Sequence, residues 1–180
     1  MILIYRMLIF ISYPCLITFI YLRKFFKKEH KDRYKEKIFP NHFNVKRIDD
    51  RKKLIWFHAA SIGEFNSILP LINEFNKSRD DLEFLLTTVT LSSSNLAKKE
   101  FKNIQNIQHR FFPLDINFLI EKFLISWRPS AIFLVDSEIW PNLIFKSKDL
   151  KIPLVLINAR ITFRSFQRWN LISAFAKKIF

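Results

Sequence analysis

A chain of 180 residues that is 49% hydrophobic and holds 21 phenylalanines has ample material for a buried core, which excludes a disordered tail and suits one ordinary domain plus an appendage. Thirty Lys and Arg against sixteen Asp and Glu leave a formal charge of +14, so the partner to look for is anionic: nucleic acid, phospholipid or a phosphorylated substrate. A single cysteine, Cys15, excludes an internal disulfide, and no Cys/His cluster has metal-ligand spacing, so metal-free chemistry on the reducing side of a membrane is expected.

Residues 1–22 are almost wholly apolar, interrupted by Arg6, and run into Arg23, Lys24, Lys27, Lys28, Lys31, Arg33, Lys35 and Lys37. That length just crosses a bilayer if Arg6 snorkels to the outer interface, with the basic cluster held on the cytoplasmic side. A cleaved signal peptide fits less well, because the charges follow the apolar run and no small-residue cleavage site comes after it. An interfacial helix lying flat is the other alternative, since Tyr5, Arg6 and Tyr13 make the span marginal. Residues 23–53 read as a basic juxtamembrane segment and linker, set against anionic head groups.

From residue 54 onward, short apolar runs alternate with helical patterns. Strands are predicted at Leu54–His58, Glu83–Thr88, Ile107–Phe112, Ala131–Val135 and Pro153–Asn158, mostly too apolar to have a wet face, as parallel strands covered on both sides are. Phe65, Ile68, Leu69, Ile72 and Phe75 share one helical face, although Pro70 predicts a kink or a later start. Further helices are predicted over Ser92–Phe101, Ile116–Trp127, Trp140–Lys148 and Phe163–Phe180. The expected fold is α/β: a Rossmann-like, doubly wound parallel sheet over residues 54–180 behind an amino-terminal anchor helix.

In such a sheet the residues following each strand meet at one edge. There the chain offers Ser61, Gly63 and Glu64; then Thr87, Thr88, Thr90 and Ser92 to Ser94; then Pro113 and Asp115. Asp136, Ser137, Glu138, Trp140, Pro141 and Asn142 follow, and finally Asn158, Arg160, Thr162 and Arg164. Gly63 is the chain's only glycine, so the turn around it is where tight geometry or close ligand approach is expected. Each residue also has a purely structural reading. Glu64 could serve only the positive end of a helix, Asp136 and Glu138 could be a cap and a first-turn acid, and Ser92 to Ser94 could be caps. His58 reads as a hydrogen-bonded core histidine, the four tryptophans as core and interface, and Asn158 with Arg160 as a surface turn.

Taken together, the segments HAASIGEFNSILPLI, LLTTVTLSSS, FFPLD, FLISWRPS, SEIWPNLI and INARITFRSFQRW closely resemble, in that order, the amino-terminal half of the 3-deoxy-D-manno-octulosonic acid (Kdo) transferases. The resemblance runs from Tyr5-Arg6 to the end of the chain. It implies a GT-B glycosyltransferase, in which two Rossmann-like domains face each other across a cleft. It implies transfer of Kdo from CMP-Kdo, the donor substrate, to a lipid A precursor at the cytoplasmic face of the inner membrane, with no further cofactor. On the family's motifs, Glu64 falls on the catalytic glutamate of SIGE, a general base, and Glu138 of SEIWPN on a second acid that orients acceptor hydroxyls. Ser61, Gly63, Asn158 and Asp136 join the substrate-binding set, Asp136 where the family usually has glutamate. Arg160, Arg164 and Arg168 are candidates for phosphate or donor contacts.

The resemblance stops where the family's second, donor-binding domain would begin, so a separate carboxy-terminal donor-binding chain is an expected partner, beside the lipid A precursor and anionic inner-membrane lipids. The rival readings are a truncated remnant or a membrane-tethered binding module without chemistry. Nucleic-acid binding is not expected, because no nucleic-acid motif or aromatic-basic interleaving accompanies the charge.

Overall fold

A computed structural model of the protein describes residues 1–43, 47–136 and 138–179. Strands β1 (Lys53–His58), β2 (Leu82–Thr88), β3 (Ile107–Phe111), β4 (Ala131–Val135) and β5 (Leu154–Ile157) form one parallel sheet in the order β3-β2-β1-β4-β5. Alternate side chains sort the core into two layers. Leu54, Trp56, Leu85, Ile132 and Leu134 point to the side covered by helices α4 (Asn117–Trp127) and α5 (Pro141–Asp149). Phe57, Phe84, Leu86 and Val135 point to the side covered by α2 (Ile62–Ser78) and α3 (Leu91–Glu100). The central strands are therefore covered on both faces, which is why β1 and β4 read as apolar runs, while the outer strand β3 carries the partly exposed Gln108, His109 and Arg110. Trp56, Phe57, Phe65 and Phe84 are fully buried, each stabilising the fold by about 2 to 3 kcal/mol through removal of apolar surface from water.

Local chemistry sets the helix starts. The Ser61 side chain accepts the Glu64 N–H, and Phe65, Ile68 and Ile72 then form the buried stripe of α2. That helix continues through Pro70, which is exposed, so the later start does not occur. The cap of α3 is Thr90, which accepts the Ser93 N–H; Ser93 and Ser94, expected as caps, lie buried inside the helix. The predicted carboxy-terminal helix is two, α6 (Phe163–Leu171) and α7 (Ser173–Ile179), divided at Ile172; Phe180 lies outside the described residues. Among the described residues, Lys27, Arg128, Asp136, Lys151 and Asn158 take positive φ.

The amino-terminal helix α1 (Ile2–Phe25) is long and apolar enough to cross a membrane, yet it lies lengthwise on the body. The Tyr5 hydroxyl donates to Asp115 Oδ2 at 2.8 Å, Arg6 Nε donates to Asn142 Oδ1 at 3.2 Å, and the Tyr13 hydroxyl donates to the Ile38 carbonyl. Arg6 is thus engaged on the protein rather than free to snorkel. Ile9, Tyr13 and Leu16 pack on the core layer of α4, while Ile17 and Ile20 pack with Tyr34 and Ile38. Tyr5, Arg6 and Tyr13 dock α1 on the body, Ser12 and Thr18 bond back to carbonyls of their own helix, and Leu3, Ile4, Met7, Leu8, Ile11 and Leu22 remain exposed.

The basic segment behind α1 is also packed rather than a loose linker. Two 3₁₀ turns, Arg33–Lys37 and Pro40–His42, place Tyr34, Ile38 and Phe43 in the interior, with Glu29, Glu36 and Lys37 buried beside them. Glu36 accepts both the Arg33 guanidinium, at 2.8 and 3.0 Å, and the Phe111 N–H of β3, at 2.9 Å. Arg33 further donates to the His109 carbonyl at 2.8 Å and faces His109 Nδ1 at 3.1 Å. Because a guanidinium only donates, Nδ1 accepts, and the ring proton sits on Nε2, 2.9 Å from Thr88 Oγ1. Burial, reinforced by Arg33 and Arg110, pushes the His109 pKa down to about 3. At the opposite end of the sheet Glu83 is a wholly buried carboxylate, tied to Arg47 at 3.2 Å and to the Ile48 N–H at 3.0 Å.

Candidate active site

The strand order reverses direction between β1 and β4, so the loops leaving these two strands border the crevice where open α/β sheets place their ligands. They are the loops that carry Glu64 and Glu138. Glu64 stands half-buried at the start of α2, and its carboxylate is held from both sides: Oε2 accepts the Ala60 N–H and Oε1 accepts the Ser61 hydroxyl, each at 2.8 Å. With Ser61 Oγ accepting the Glu64 N–H at 3.2 Å, the pair completes a capping box. The structural role suggested for Glu64 is therefore real. It also fixes the carboxylate's direction at an open rim, next to the exposed Ser61, Ile62 and Gly63.

Gly63 does not serve a tight turn. It sits in the first turn of α2 without positive φ, and an added Cβ would meet nothing nearer than Ser61 Oγ at 3.9 Å. The space above it is open.

Glu138 reaches the end of β1, where its Oε2 lies 3.5 Å from His58 Nε2. His58 is completely buried, stacked on Phe112 with ring centroids 4.0 Å apart. Its Nδ1 lies 3.0 Å from Thr87 Oγ1, which already accepts Trp56 Nε1–H at 2.8 Å. Nδ1 also lies 3.2 Å from the Thr87 carbonyl, so the threonine's hydroxyl and carbonyl together hold the inner side of the ring in either tautomer. Nε2 makes no hydrogen bond among the described residues and faces the Glu138 carboxylate. The core-histidine reading of His58 holds, with one addition: its outer nitrogen addresses the crevice.

Asp136 and Arg160 line a cleft of about 600 Å³ roofed by α6, with Leu156, Phe166 and Trp169 on its walls. Asp136 takes a left-handed φ of 60°, donates its N–H to the Ile157 carbonyl at 2.9 Å, and buries an Oδ1 that has no hydrogen-bond partner among the described residues. It caps no helix, since α5 begins after Trp140. Asn158, also at positive φ, is exposed just after β5, and Arg160, Arg164 and Arg168 are exposed, the last two on α6 and outside the cleft lining. The set thus divides in two: Ser61, Gly63, Glu64 and Glu138 around the ends of β1 and β4, and Asp136, Asn158, Arg160 and Arg164 around the ends of β4 and β5. Ser137 falls outside the described residues. Among those described, no group of three or more His, Cys, Asp or Glu could hold a metal ion.

Asp115 carries more than its place in the sequence suggests. It is 5% exposed, accepts the Asn142 and Leu143 N–H groups at 2.9 and 3.0 Å, and receives the Tyr5 hydroxyl. It caps α5 from a neighbouring loop and fastens α1 to the same rim. Burial pushes its carboxyl pKa up, while those three donors pull against the rise. A buried acid joining three elements has no local sequence signature.

A family model described as 3-deoxy-D-manno-octulosonic-acid transferase (kdotransferase) matches residues 32–180. Among curated proteins, the probable mitochondrial 3-deoxy-D-manno-octulosonic acid transferase of Arabidopsis thaliana is 43% identical over 117 residues, 65% of this chain and 26% of that protein. The 3-deoxy-D-manno-octulosonic acid transferase of Rickettsia bellii is 32% identical over 168 residues, 93% of this chain and 38% of the relative. That of Haemophilus influenzae is 34% identical over 120 residues, covering 67% and 28%. The chain spans between 26% and 38% of the length of these relatives. With a matched model over most of its length, a parallel five-stranded sheet and a switch-point crevice, this chain belongs to the Kdo transferase family, whose amino-terminal domain it forms.

Proposed function

We propose that this domain is the acceptor-binding side of an inverting glycosyltransferase that moves Kdo from CMP-Kdo to a lipid A precursor, with Glu64 as general base and no cofactor. The acceptor hydroxyl gives its proton to the Glu64 carboxylate as its oxygen bonds to the anomeric carbon of Kdo. CMP departs with the electrons of the broken glycosidic bond. The observation that carries this reading is the placement of Glu64: a half-open carboxylate at the switch point, aimed by two short hydrogen bonds. Glu138, steadied by His58, orients the acceptor. Ser61 and Gly63 border its approach, while Asp136, Asn158, Arg160 and Arg164 contact phosphate or donor. Donor contacts come chiefly from a second Rossmann-like domain, whether joined to this one or supplied as a separate chain.

The positive charge is assigned to the phosphorylated acceptor and to anionic inner-membrane lipids, not to nucleic acid. Because α1 is docked lengthwise, its exposed apolar side enters the cytoplasmic interface of the membrane while the body rests on the surface. Such a posture brings the rim holding Glu64 to the lipid.

The decisive test is Glu64→Gln in protein supplied with the donor-binding domain, CMP-Kdo and acceptor in membranes. Glutamine preserves the capping box but accepts no proton, so turnover is expected to fall by about 10² to 10⁴ with thermal stability nearly unchanged. Unchanged turnover would reduce Glu64 to a cap.

A further inference from the structure

A cavity of about 370 Å³ lies between α1 and the carboxyl rim of the sheet, within the size range of small-molecule sites. Leu16 and Ile20 of α1 form one wall, and Phe112 and Trp140 from the rim form the other. The rim wall is shared with the switch point: Phe112 stacks on His58, and Trp140 lies with its ring centroid 5.1 Å from Phe112 and 6.2 Å from His58. Whatever fills this cavity rests one aromatic ring away from the pair His58 and Glu138.

Charge marks the same cavity. Arg23 Nε and Lys37 Nζ both bind one carboxylate, Glu29, at 2.7 and 2.5 Å, and all three residues line the space. Two cations against one anion leave a positive charge unbalanced. Lys37 also donates to the Val89 carbonyl at 2.8 Å, and burial pulls its pKa down while Glu29 opposes the fall. An apolar slot with an excess cation, bordered by the helix whose other side faces lipid, suits one end of a phosphorylated amphiphile.

We infer that this cavity holds one acyl chain of the lipid acceptor, with the excess charge of Arg23 and Lys37 facing a phosphate, so that the chain fixes where the reacting hydroxyl meets the rim. The acceptor's identity rests on the function proposed above; the occupancy of the cavity by an acyl chain does not. Bulk anionic phospholipid offers similar chemistry, but the wall shared with His58 favours the acceptor.

The test uses the full chain in detergent micelles and a lipid A precursor carrying one brominated acyl chain, which quenches tryptophan on contact. The Trp140 component, obtained by difference against Trp140→Phe, is expected to quench saturably. Val89→Phe and Leu16→Phe, which fill the cavity from opposite walls, are expected to weaken that quenching about tenfold, with folding checked by circular dichroism. Phosphatidic acid with the same brominated chain is expected to bind at least tenfold more weakly. Quenching that spares Trp140, or filled variants that bind as before, would overturn the inference, and equal binding of phosphatidic acid would overturn its assignment to the acceptor. If quenching behaves as expected while the supplemented enzyme transfers no Kdo, the cavity assignment stands and the proposed activity fails.

Discussion

His58 Nε2 faces Glu138 Oε2 across 3.5 Å, at the end of a run of hydrogen bonds that starts at Trp56 and passes through Thr87. Since Trp56 and His58 are completely buried and Thr87 is held between them, the core of the sheet fixes the ring that faces this acid at the rim. Replacing His58 by Phe keeps the stack on Phe112 but frees Glu138. Acceptor turnover is then expected to fall about 10²-fold, as misplacement of an orienting group does. Glu138→Gln should cost a similar amount, and the double variant little more than either alone. Additive losses in that cycle would show that the two residues act separately.

The chain's one glycine is not where its backbone needs one. Gly63→Ala is expected to stabilise the fold by about 0.5 to 1 kcal/mol, because the site is helical and a Cβ has room. Any rise in acceptor KM in that stabler variant would then report close ligand approach, independent of folding. Conversely, Lys151 holds φ at 56° just after α5, in exposed surface. Lys151→Gly should raise stability by about 1 kcal/mol in chemical denaturation, by relieving that conformation.

The posture of α1 predicts a topology. A helix crossing the bilayer would put residue 2 on the side opposite the body, whereas the docked helix keeps both on one side. In a Cys15→Ser background, Ile2→Cys in sealed vesicles with the body outside should react with a membrane-impermeant thiol reagent added outside. Labelling only after the vesicles are opened would establish a spanning helix. Removing the native thiol is needed because Cys15 is exposed on the same helix.

His109 gives stability a pH dependence of definite sign. Its folded pKa lies near 3 against an ordinary 6.5, so between these values the unfolded chain binds the proton and the folded chain does not. This contribution is complete above pH 6.5 and declines as pH falls towards 3, by at most about 1.4 kcal/mol per pH unit. His109→Gln, which can still accept from Arg33 and donate to Thr88, should flatten the loss in acid denaturation followed from pH 7 to pH 4.

The sheet was legible in the sequence because its physical signal is local. Ala131–Val135 is predicted and found with identical bounds, and β1, β2 and β3 differ by one residue at one end. Apolar runs wet on neither side leave no other reading. The segment from Arg23 to Phe43 was not legible, since its burial depends on ion pairs whose members only the fold brings together. Glu29 with Arg23 and Lys37, or Glu36 with Arg33, looks like a solvated run until the partners are seen together. At the candidate site, sequence brought Glu64 and Glu138 forward. The reach of Glu138 to His58 and the threefold duty of Asp115 are contacts between loops far apart in the chain, which spacing does not record.

The Glu36 carboxylate on the Phe111 amide bears on where this chain can be cut. β3 is an outer strand, and Glu36 and Arg33 together occupy backbone groups that another strand would otherwise pair with. Trimming the chain to its first strand would strip that guard and uncover a sticky border. Trimming just ahead of Arg33 would keep the guard but remove α1 and Glu29, uncovering Tyr34 and Ile38 and leaving the buried Lys37 without its carboxylate, so the fragment that keeps both the edge covered and the core closed retains α1.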